Sequence, residues 1–211
     1  MTDSRISRHF DTLAAGYDRY KHPLNFYFAT LKHIIQNEIT HADRARILDI
    51  GCGTGTILAA VNRRYVLGID ISSKMISQAR KKYAHYSWLQ FEMSDIEHKP
   101  VKKKFDYILC TDVIEHFTNQ EIAIKNISAS MSKKTTFILS MANPAWEPFL
   151  QFLEKVHLKM PEGPHLRISE QALFSLLTKY QLSVLRKNTY LPRIKRFEKC
   201  GLLSVYIITK F

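Results

Sequence analysis

The 211-residue chain carries 31 Lys and Arg against 19 Asp and Glu, a formal charge of +12, and 45% of its residues are apolar, enough to bury one substantial core. Its three cysteines, Cys52, Cys110 and Cys200, lie far apart with no CxxC pair, which argues against a disulfide framework and a zinc site. No uncharged apolar run approaches the roughly 18 to 20 residues needed to cross a bilayer, and the first ten residues lack the apolar centre of a signal peptide, so a soluble, cytoplasmic protein is expected. A charge of this size attracts polyanions or an anionic membrane surface, but the basic clusters at 99–104 and 186–199 read first as solvated loops and strand ends.

Taken in chain order, Phe10, Leu13, Ala14 and Tyr17 recur at helical spacing, and Leu24, Phe28, Leu31, Ile35 and Ile39 repeat the pattern. Both helices are expected over the ligand edge of a sheet formed by the rest of the chain. From residue 44, β-rich apolar runs at 45–50, 65–70, 87–92, 105–110, 135–141, 182–190 and 203–209 alternate with helical patterns at 55–63, 72–83, 119–131 and 169–180. That alternation predicts βαβ units, hence an α/β fold with a mostly parallel sheet and helices on both faces. The last two runs have no helical pattern between them, so they are expected to pair antiparallel and leave one reversed strand. An insertion at 143–168 comes after the fifth strand. Within it Trp146, Phe149, Leu150, Leu153 and Val156 mark one apolar face, and 160–165 reads as a turn. No repeat or linker divides the chain. A single domain over 1–211 is expected, with a helical cap at 1–43, a cofactor-binding core at 44–142, a substrate-side insertion at 143–168 and the rest of the sheet at 169–211.

The segment ILDIGCGTG at 47–55 joins the first strand to its helix, and its alternate glycines let the backbone turn tightly and approach a ligand closely. A dinucleotide would need the spacing GxGxxG; here it is GxGxG, and Asp49 would repel a pyrophosphate. The same carboxylate suits a cationic group, such as the methionine ammonium of S-adenosylmethionine. Asp70 ends the second strand, where its two oxygens can accept from both ribose hydroxyls. Asp95, after the third strand, can accept from the adenine amino group, with Met75 as a flexible apolar surface near the base. Each acid taken alone is more often a cap or turn former. Their order along the chain favours a shared ligand.

ILDIGCGTG (47–55), LGIDISSKM (67–75), Ser94-Asp95-Ile96 and FDYILCTDVIEH (105–116) resemble the successive motifs of class I S-adenosylmethionine-dependent methyltransferases. The resemblance implies a Rossmann-like seven-stranded sheet with its last strand antiparallel, and S-adenosyl-L-methionine as cofactor with S-adenosyl-L-homocysteine as product. It also implies that Asp49, Gly51, Gly53, Asp70 and Asp95 hold the cofactor, and Cys52, Ile71, Ile96 and Thr111 fall inside the same motifs as further contacts. The opening HFDTLAAGYD (9–18) is similar to the FDxxAxxYD element of quinone-type C-methyltransferases and related small-molecule enzymes. In those it folds over the cofactor, which makes Tyr17 a candidate contact for the methionine end.

Methyl transfer is an in-line displacement that asks the protein mainly for alignment. If the acceptor is a hydroxyl, a base must take its proton, and His116, just past the fourth strand, is the candidate catalytic residue. Asp112 and Glu115 flank it in a segment that resembles ubiquinone-biosynthesis-type O-methyltransferases. Some of those use a divalent metal, so a site on Asp112, Glu115 and His116 is conceivable, although the expectation here is no metal. Tyr20, His22, Trp146 and His165 are weaker candidates for the acceptor pocket. Asn143-Pro144 lacks the second proline and the aromatic residue of the NPPY-type nucleic-acid methyltransferase motif. The leading expectation is a small, aromatic or lipid-like acceptor methylated on oxygen. Methylation of RNA or another macromolecule is the second reading, a non-catalytic cofactor-binding scaffold the third. The helix expected around 146–159 is compatible with a lid, an apolar floor or peripheral membrane contact, and packing on its own domain is the first expectation.

Overall fold

The computed structural model describes residues 4–20, 25–39, 44–61, 65–143, 146–156, 163–190 and 201–211, and within these seven strands form one sheet. They are β1 (Arg46–Ile50), β2 (Tyr65–Asp70), β3 (Leu89–Met93), β4 (Phe105–Thr111), β5 (Met131–Ala142), β6 (Leu182–Tyr190) and β7 (Leu203–Lys210), in the order β3-β2-β1-β4-β5-β7-β6. The first five pair parallel. The last, β7, slots between β5 and β6 and runs antiparallel to both, so it is the single reversed strand that the sequence pattern predicted.

Parallel strands covered on both faces must be apolar on both, and β1, β4 and β7 are buried along most of their length. The helices are α1 (Ser4–Leu13), α2 (Tyr17–Tyr20), α3 (Asn25–Glu38), α4 (Ser73–Lys82), α5 (Gln120–Ala129), α6 (Glu147–Lys155) and α7 (Glu170–Lys179). Leu48, Ile108, Phe137 and Ile208 pack with Ile124 and Ile127 of α5 and Leu173 and Leu177 of α7 on one face. Ile47, Leu109, Ile138 and Ile207 pack with Leu31 and Ile35 of α3 and Ile76 and Ala79 of α4 on the other. Three helices begin at a side-chain cap that satisfies an otherwise orphaned amide: Ser72 Oγ accepts from Met75 N, Asn119 Oδ1 from Ile122 N, and Ser169 Oγ from Ala172 N.

Several boundaries differ from the sequence expectation. No α-helix covers 55–61; the described part is a turn leading into the 3₁₀ segment Leu58–Ala60, and 62–64 lie outside the described residues. The run starts at Gly55, at φ 78°, has no side-chain cap, and contains the β-branched Thr56, Ile57 and Val61. The strand predicted at 135–141 starts at Met131 and shortens the preceding helix, which ends at Ala129, because Ser130 Oγ turns away to the Val101 carbonyl at 2.7 Å. The strand predicted from 87 begins at Leu89, since Tyr86 to Leu89 forms a turn. The second predicted helix, α3, does not lie wholly over the ligand edge. Its Leu31, Ile35 and Ile39 are fully buried against the sheet face, and only Tyr27 and Phe28 reach the edge. Leu24, His22, Cys200 and 160–162 lie outside the described residues, as do the side chains of Tyr20, Phe149 and Leu153.

Phe137 sits fully buried in mid-sheet between β4 and β7. Phe137→Ala is expected to cost about 3–5 kcal/mol of stability, read as a lowered urea midpoint at unchanged slope.

Candidate active site

The strand order reverses between β1 and β4, and in such sheets the crevice beyond the strands' carboxyl ends is where ligands bind. The turn after β1 enters that crevice. Gly51, at φ 71°, and Gly53, at φ 54°, adopt the left-handed conformation that side chains disfavour. A Cβ on Gly51 would stand 2.3 Å from Val113 Cγ2, so the turn after β1 and the segment after β4 touch through this glycine. The turn is fixed from β2: Gly51 N and Cys52 N both donate to the Ile69 carbonyl, at 2.8 and 3.0 Å, and Gly53 N donates to Asp70 Oδ2 at 2.8 Å.

A cavity of about 220 Å³ opens here, a ligand-sized space, since one water needs about 10–15 Å³ on the same measure. The structure brings to its wall the residues expected at the cofactor and the candidate base. Asp49, Gly51, Cys52 and Gly53 come from the turn after β1; Asp70, Ile71 and Met75 from the end of β2 and the start of α4; Asp95 and Ile96 from the loop after β3. Thr111 and His116 come from the end of β4 and beyond, and Tyr17 from the amino-terminal segment. Asp70 also receives Ser72 N at 2.8 Å on Oδ1; burial pushes its carboxyl above the ordinary range, against the pull of these two amides. Asp95 combines both roles weighed for it: it lines the cavity and also caps its own turn, accepting from Glu97 N at 2.9 Å and pairing with His98 Nδ1 at 2.8 Å. Cys110 is fully buried, which pushes its thiol well up and leaves it a packing residue.

The amino-terminal element is strapped across the site by its two aspartates. Asp11 Oδ1 accepts from Ser72 Oγ at 2.5 Å and Lys74 N at 3.0 Å, at the positive end of α4. Asp18 accepts from Thr54 Oγ1 at 2.7 Å and pairs with Lys82 at 2.7 Å. Between them the Tyr17 ring covers Gly53, where a Cβ would stand 3.4 Å from Tyr17 Cε1. Burial, and then the charges of Asp70, Asp112 and Asp18, push the Tyr17 hydroxyl upward, so it stays neutral.

Beyond β4, the 3₁₀ turn Ile114–His116 carries the candidate base. His116 Nδ1 lies 3.2 Å from the Pro164 carbonyl, which can only accept, so a neutral imidazole held there carries its proton on Nδ1 and leaves Nε2 basic. Gln120 Nε2 ties this turn to the segment crossing it by donating to the Ile114 and Leu166 carbonyls. Phe10 packs edge-on against His116, with ring centroids 5.2 Å apart. His165, expected in the acceptor pocket, does not line the cavity and stands behind His116 at 6.5 Å; Trp146 does not line it either and precedes α6. Of the conceivable metal set, Asp112 accepts from Tyr27 OH at 2.9 Å and Ser140 Oγ at 2.8 Å. Among the described residues no group of three or more His, Cys, Asp or Glu could hold a metal ion.

Residues 41–187 match the family model described as a methyltransferase domain, well over half of the chain. The chain belongs to the class I S-adenosylmethionine-dependent methyltransferase family. Ubiquinone biosynthesis O-methyltransferase of Bradyrhizobium diazoefficiens is 29% identical over 127 residues, 57% of this chain and 50% of that protein. This methyltransferase thus spans about half the length of the curated relatives it matches. A S-adenosylmethionine-dependent methyltransferase from Thermotoga maritima shares the fold at 20% identity with a TM-score of 0.74, covering 98% of this chain and all of that one. Magnesium protoporphyrin IX methyltransferase from Synechocystis, solved with bound SAH, shares it at 19% identity and a TM-score of 0.68, covering 98% and 99%.

Sequence reasoning missed much of the methyltransferase's apolar wall, including Ile6, Tyr27, Val113 and Leu202. Phe28 and Leu150 stood on predicted apolar helix faces, which is a usable signal. Leu202 gave none, because the pairing of β5 with β7 brings it there. Replacing both strap aspartates, Asp11→Asn with Asp18→Asn, is expected to speed amide exchange across residues 4–20 roughly tenfold through the loss of about 1–2 kcal/mol of local pairing. Mass-spectrometric hydrogen exchange checks this, with exchange in β1 and β4 unchanged.

Proposed function

We propose that this methyltransferase transfers a methyl group from S-adenosylmethionine to the oxygen of a small, aromatic or lipid-like acceptor, with His116 as the base. The observation that carries this reading is that one cavity is lined at once by Asp49, Gly51, Gly53, Asp70, Asp95 and His116. Asp49 faces the methionine ammonium in this assignment, Asp70 the ribose hydroxyls and Asp95 the adenine amino group. Met75, Ile71 and Ile96 flank the base, Cys52 and Thr111 complete the wall, and Tyr17 covers the methionine end. The residues fit the group: the Asp70 oxygens each hold one backbone amide and retain a further lone pair, and the glycine turn keeps the space that side chains would fill. The cofactor supplies an electrophilic methyl on a sulfonium. His116 takes the acceptor's proton on Nε2, its tautomer held by the Pro164 carbonyl, while the Phe10 ring and the strapped amino terminus exclude water. The names of the curated relatives support an oxygen acceptor. The cap at 1–43 and the insertion at 143–168 serve this one unit, and its compartment is the cytoplasm; among the described residues no helix is long and apolar enough to cross a membrane.

Calorimetric titration with S-adenosylmethionine, S-adenosylhomocysteine and NAD is expected to show saturable binding of the first two only. Absence of adenosyl-ligand binding would sink the reading in favour of a scaffold role. With phenol and catechol acceptors, His116→Gln is expected to lower kcat about 10²–10⁴-fold while leaving cofactor affinity within twofold.

The proton on Asp70 sets a pH dependence. Ribose hydroxyls donate to the ionised carboxylate, so cofactor affinity is expected to fall on acidification, beginning above the ordinary carboxylate range because the folded-state pKa is raised. For the cofactor-free protein the sign reverses. A raised folded pKa means the folded state holds its proton longer, so Asp70's contribution to stability is present below the unfolded value and is lost as pH rises through the folded one. Titrations of affinity and of urea midpoint against pH, each compared with Asp70→Asn, check both.

A further inference from the structure

Beside the residues assigned to the cofactor, the cavity wall carries an apolar and aromatic set: Phe10 from α1, Tyr27 and Phe28 from α3, Val113, Leu150 from α6 and Leu202 before β7. Asp112 stands on the same wall. β4 pairs with β5 up to Thr111, and Asp112 N still donates to the Ser140 carbonyl at 3.1 Å before the backbone swings to φ 55°. That left-handed conformation costs an ordinary residue about 1–2 kcal/mol, less for Asp, and such outliers concentrate where a side chain must be aimed. Two hydroxyls from separate elements hold the carboxylate: Tyr27 OH of α3 on Oδ2 at 2.9 Å and Ser140 Oγ of β5 on Oδ1 at 2.8 Å. Both are donors, so the carboxylate is oriented from two sides and accepts from each.

The charge around it is one-sided. Although the chain carries +12 overall, its cavity is lined by Asp49, Asp70, Asp95, Glu97, Asp112 and Glu115, and no Lys or Arg is among the described residues on the wall. Three of these acids are assigned to the cofactor. Asp112 and Glu115 share the wall with the apolar set, and within low-dielectric walls their field acts on an acceptor with little screening.

We infer that Asp112 determines which acceptors the site takes: its carboxylate receives a hydrogen-bond donor of the acceptor, so the pocket selects ring compounds that are neutral donors or carry a protonated amine, and rejects anionic ones. This rests on the proposed methyltransferase site and names its substrate class. Asp112 acts on binding, whereas His116 acts on the proton. An Asn at position 112 keeps the left-handed backbone nearly as well as Asp, removes the charge and keeps one acceptor, with the second hydroxyl able to turn and accept from its amide, so Asp112→Asn retains the fold.

Three phenols of nearly equal size test it by calorimetry on the protein saturated with S-adenosylhomocysteine: 4-propylphenol, tyramine and 3-(4-hydroxyphenyl)propanoate. Tyramine and 4-propylphenol are expected to bind, and the anionic ring at least tenfold more weakly than tyramine. Asp112→Asn is expected to shrink that ratio to within threefold while leaving S-adenosylhomocysteine affinity unchanged. An anionic ring that binds as tightly as tyramine, a preference unaltered in Asp112→Asn, or no binding of any of the three overturns the inference. Tight binding of the anion that EDTA removes also overturns it and gives Asp112 to a metal. Should S-adenosylhomocysteine itself not bind, the cofactor reading fails. The same three phenols titrated into the ligand-free protein then decide the charge preference separately.

Discussion

The site depends on how the end of β2 grips the turn after β1. Two successive amides, Gly51 N and Cys52 N, converge on the Ile69 carbonyl, and a third, Gly53 N, on the Asp70 carboxylate. A turn of alternating left-handed glycines has no side chains to hold it, so its shape must be imposed from outside. Here the parallel pairing of β1 with β2 places the needed acceptors at the last rung of the ladder, Ile69, and one residue beyond it, Asp70. Val113 closes the other side against Gly51, which links the turn to the segment that carries Asp112 and His116. The shape of the cavity is therefore set by contacts across β1 and the neighbouring central strand, β4.

Asp70 carries two demands that conflict. Its carboxylate fixes the glycine turn and the start of α4, yet burial disfavours its charge and Asp11 adds a second negative group nearby. Folding alone would favour a neutral acceptor there. A buried acid retained at such a cost to stability is characteristic of a functional site. The strap repeats the theme at lower cost, since Asp11 and Asp18 meet the α4 amino terminus, Thr54 and Lys82 near solvent, where pairing contributes little to overall stability. Such an element can open without unfolding the sheet.

The opposition between a strongly basic chain and an acidic cavity is a consequence of topology. Lys103, Lys104 and Arg46 stand at the amino ends of the parallel strands, and Lys210 at the end of the reversed β7, all on the edge away from the glycine turn. There Lys104 donates to the Ala129 and Met131 carbonyls and Lys210 to the Ser128 carbonyl, with burial and then the charge of Lys104 lowering the pKa of Lys210. The acids gather at the carboxyl ends. Net charge thus describes the outside of this molecule and misleads about its site.

The seven strands and the reversed last strand were legible in the order of amino acids alone, and the residues expected at the cofactor line one cavity. Strand periodicity and the succession of ILDIGCGTG, Asp70 and Asp95 are local patterns, and local patterns survive in one dimension. The helix expected at 55–63 failed because its apolar spacing hid the left-handed Gly55, the missing cap and the β-branched Thr56, Ile57 and Val61. The apolar wall, by contrast, exists only in three dimensions. Tyr27 reads as one more core position of its helix, Leu202 precedes a strand, and Asp112 looks like a neighbour of His116; their meeting depends on β7 entering between β5 and β6 and on where the β4 ladder ends. Such a wall is assembled from side chains distant in sequence, each of which has an ordinary local reading, so no single segment records it.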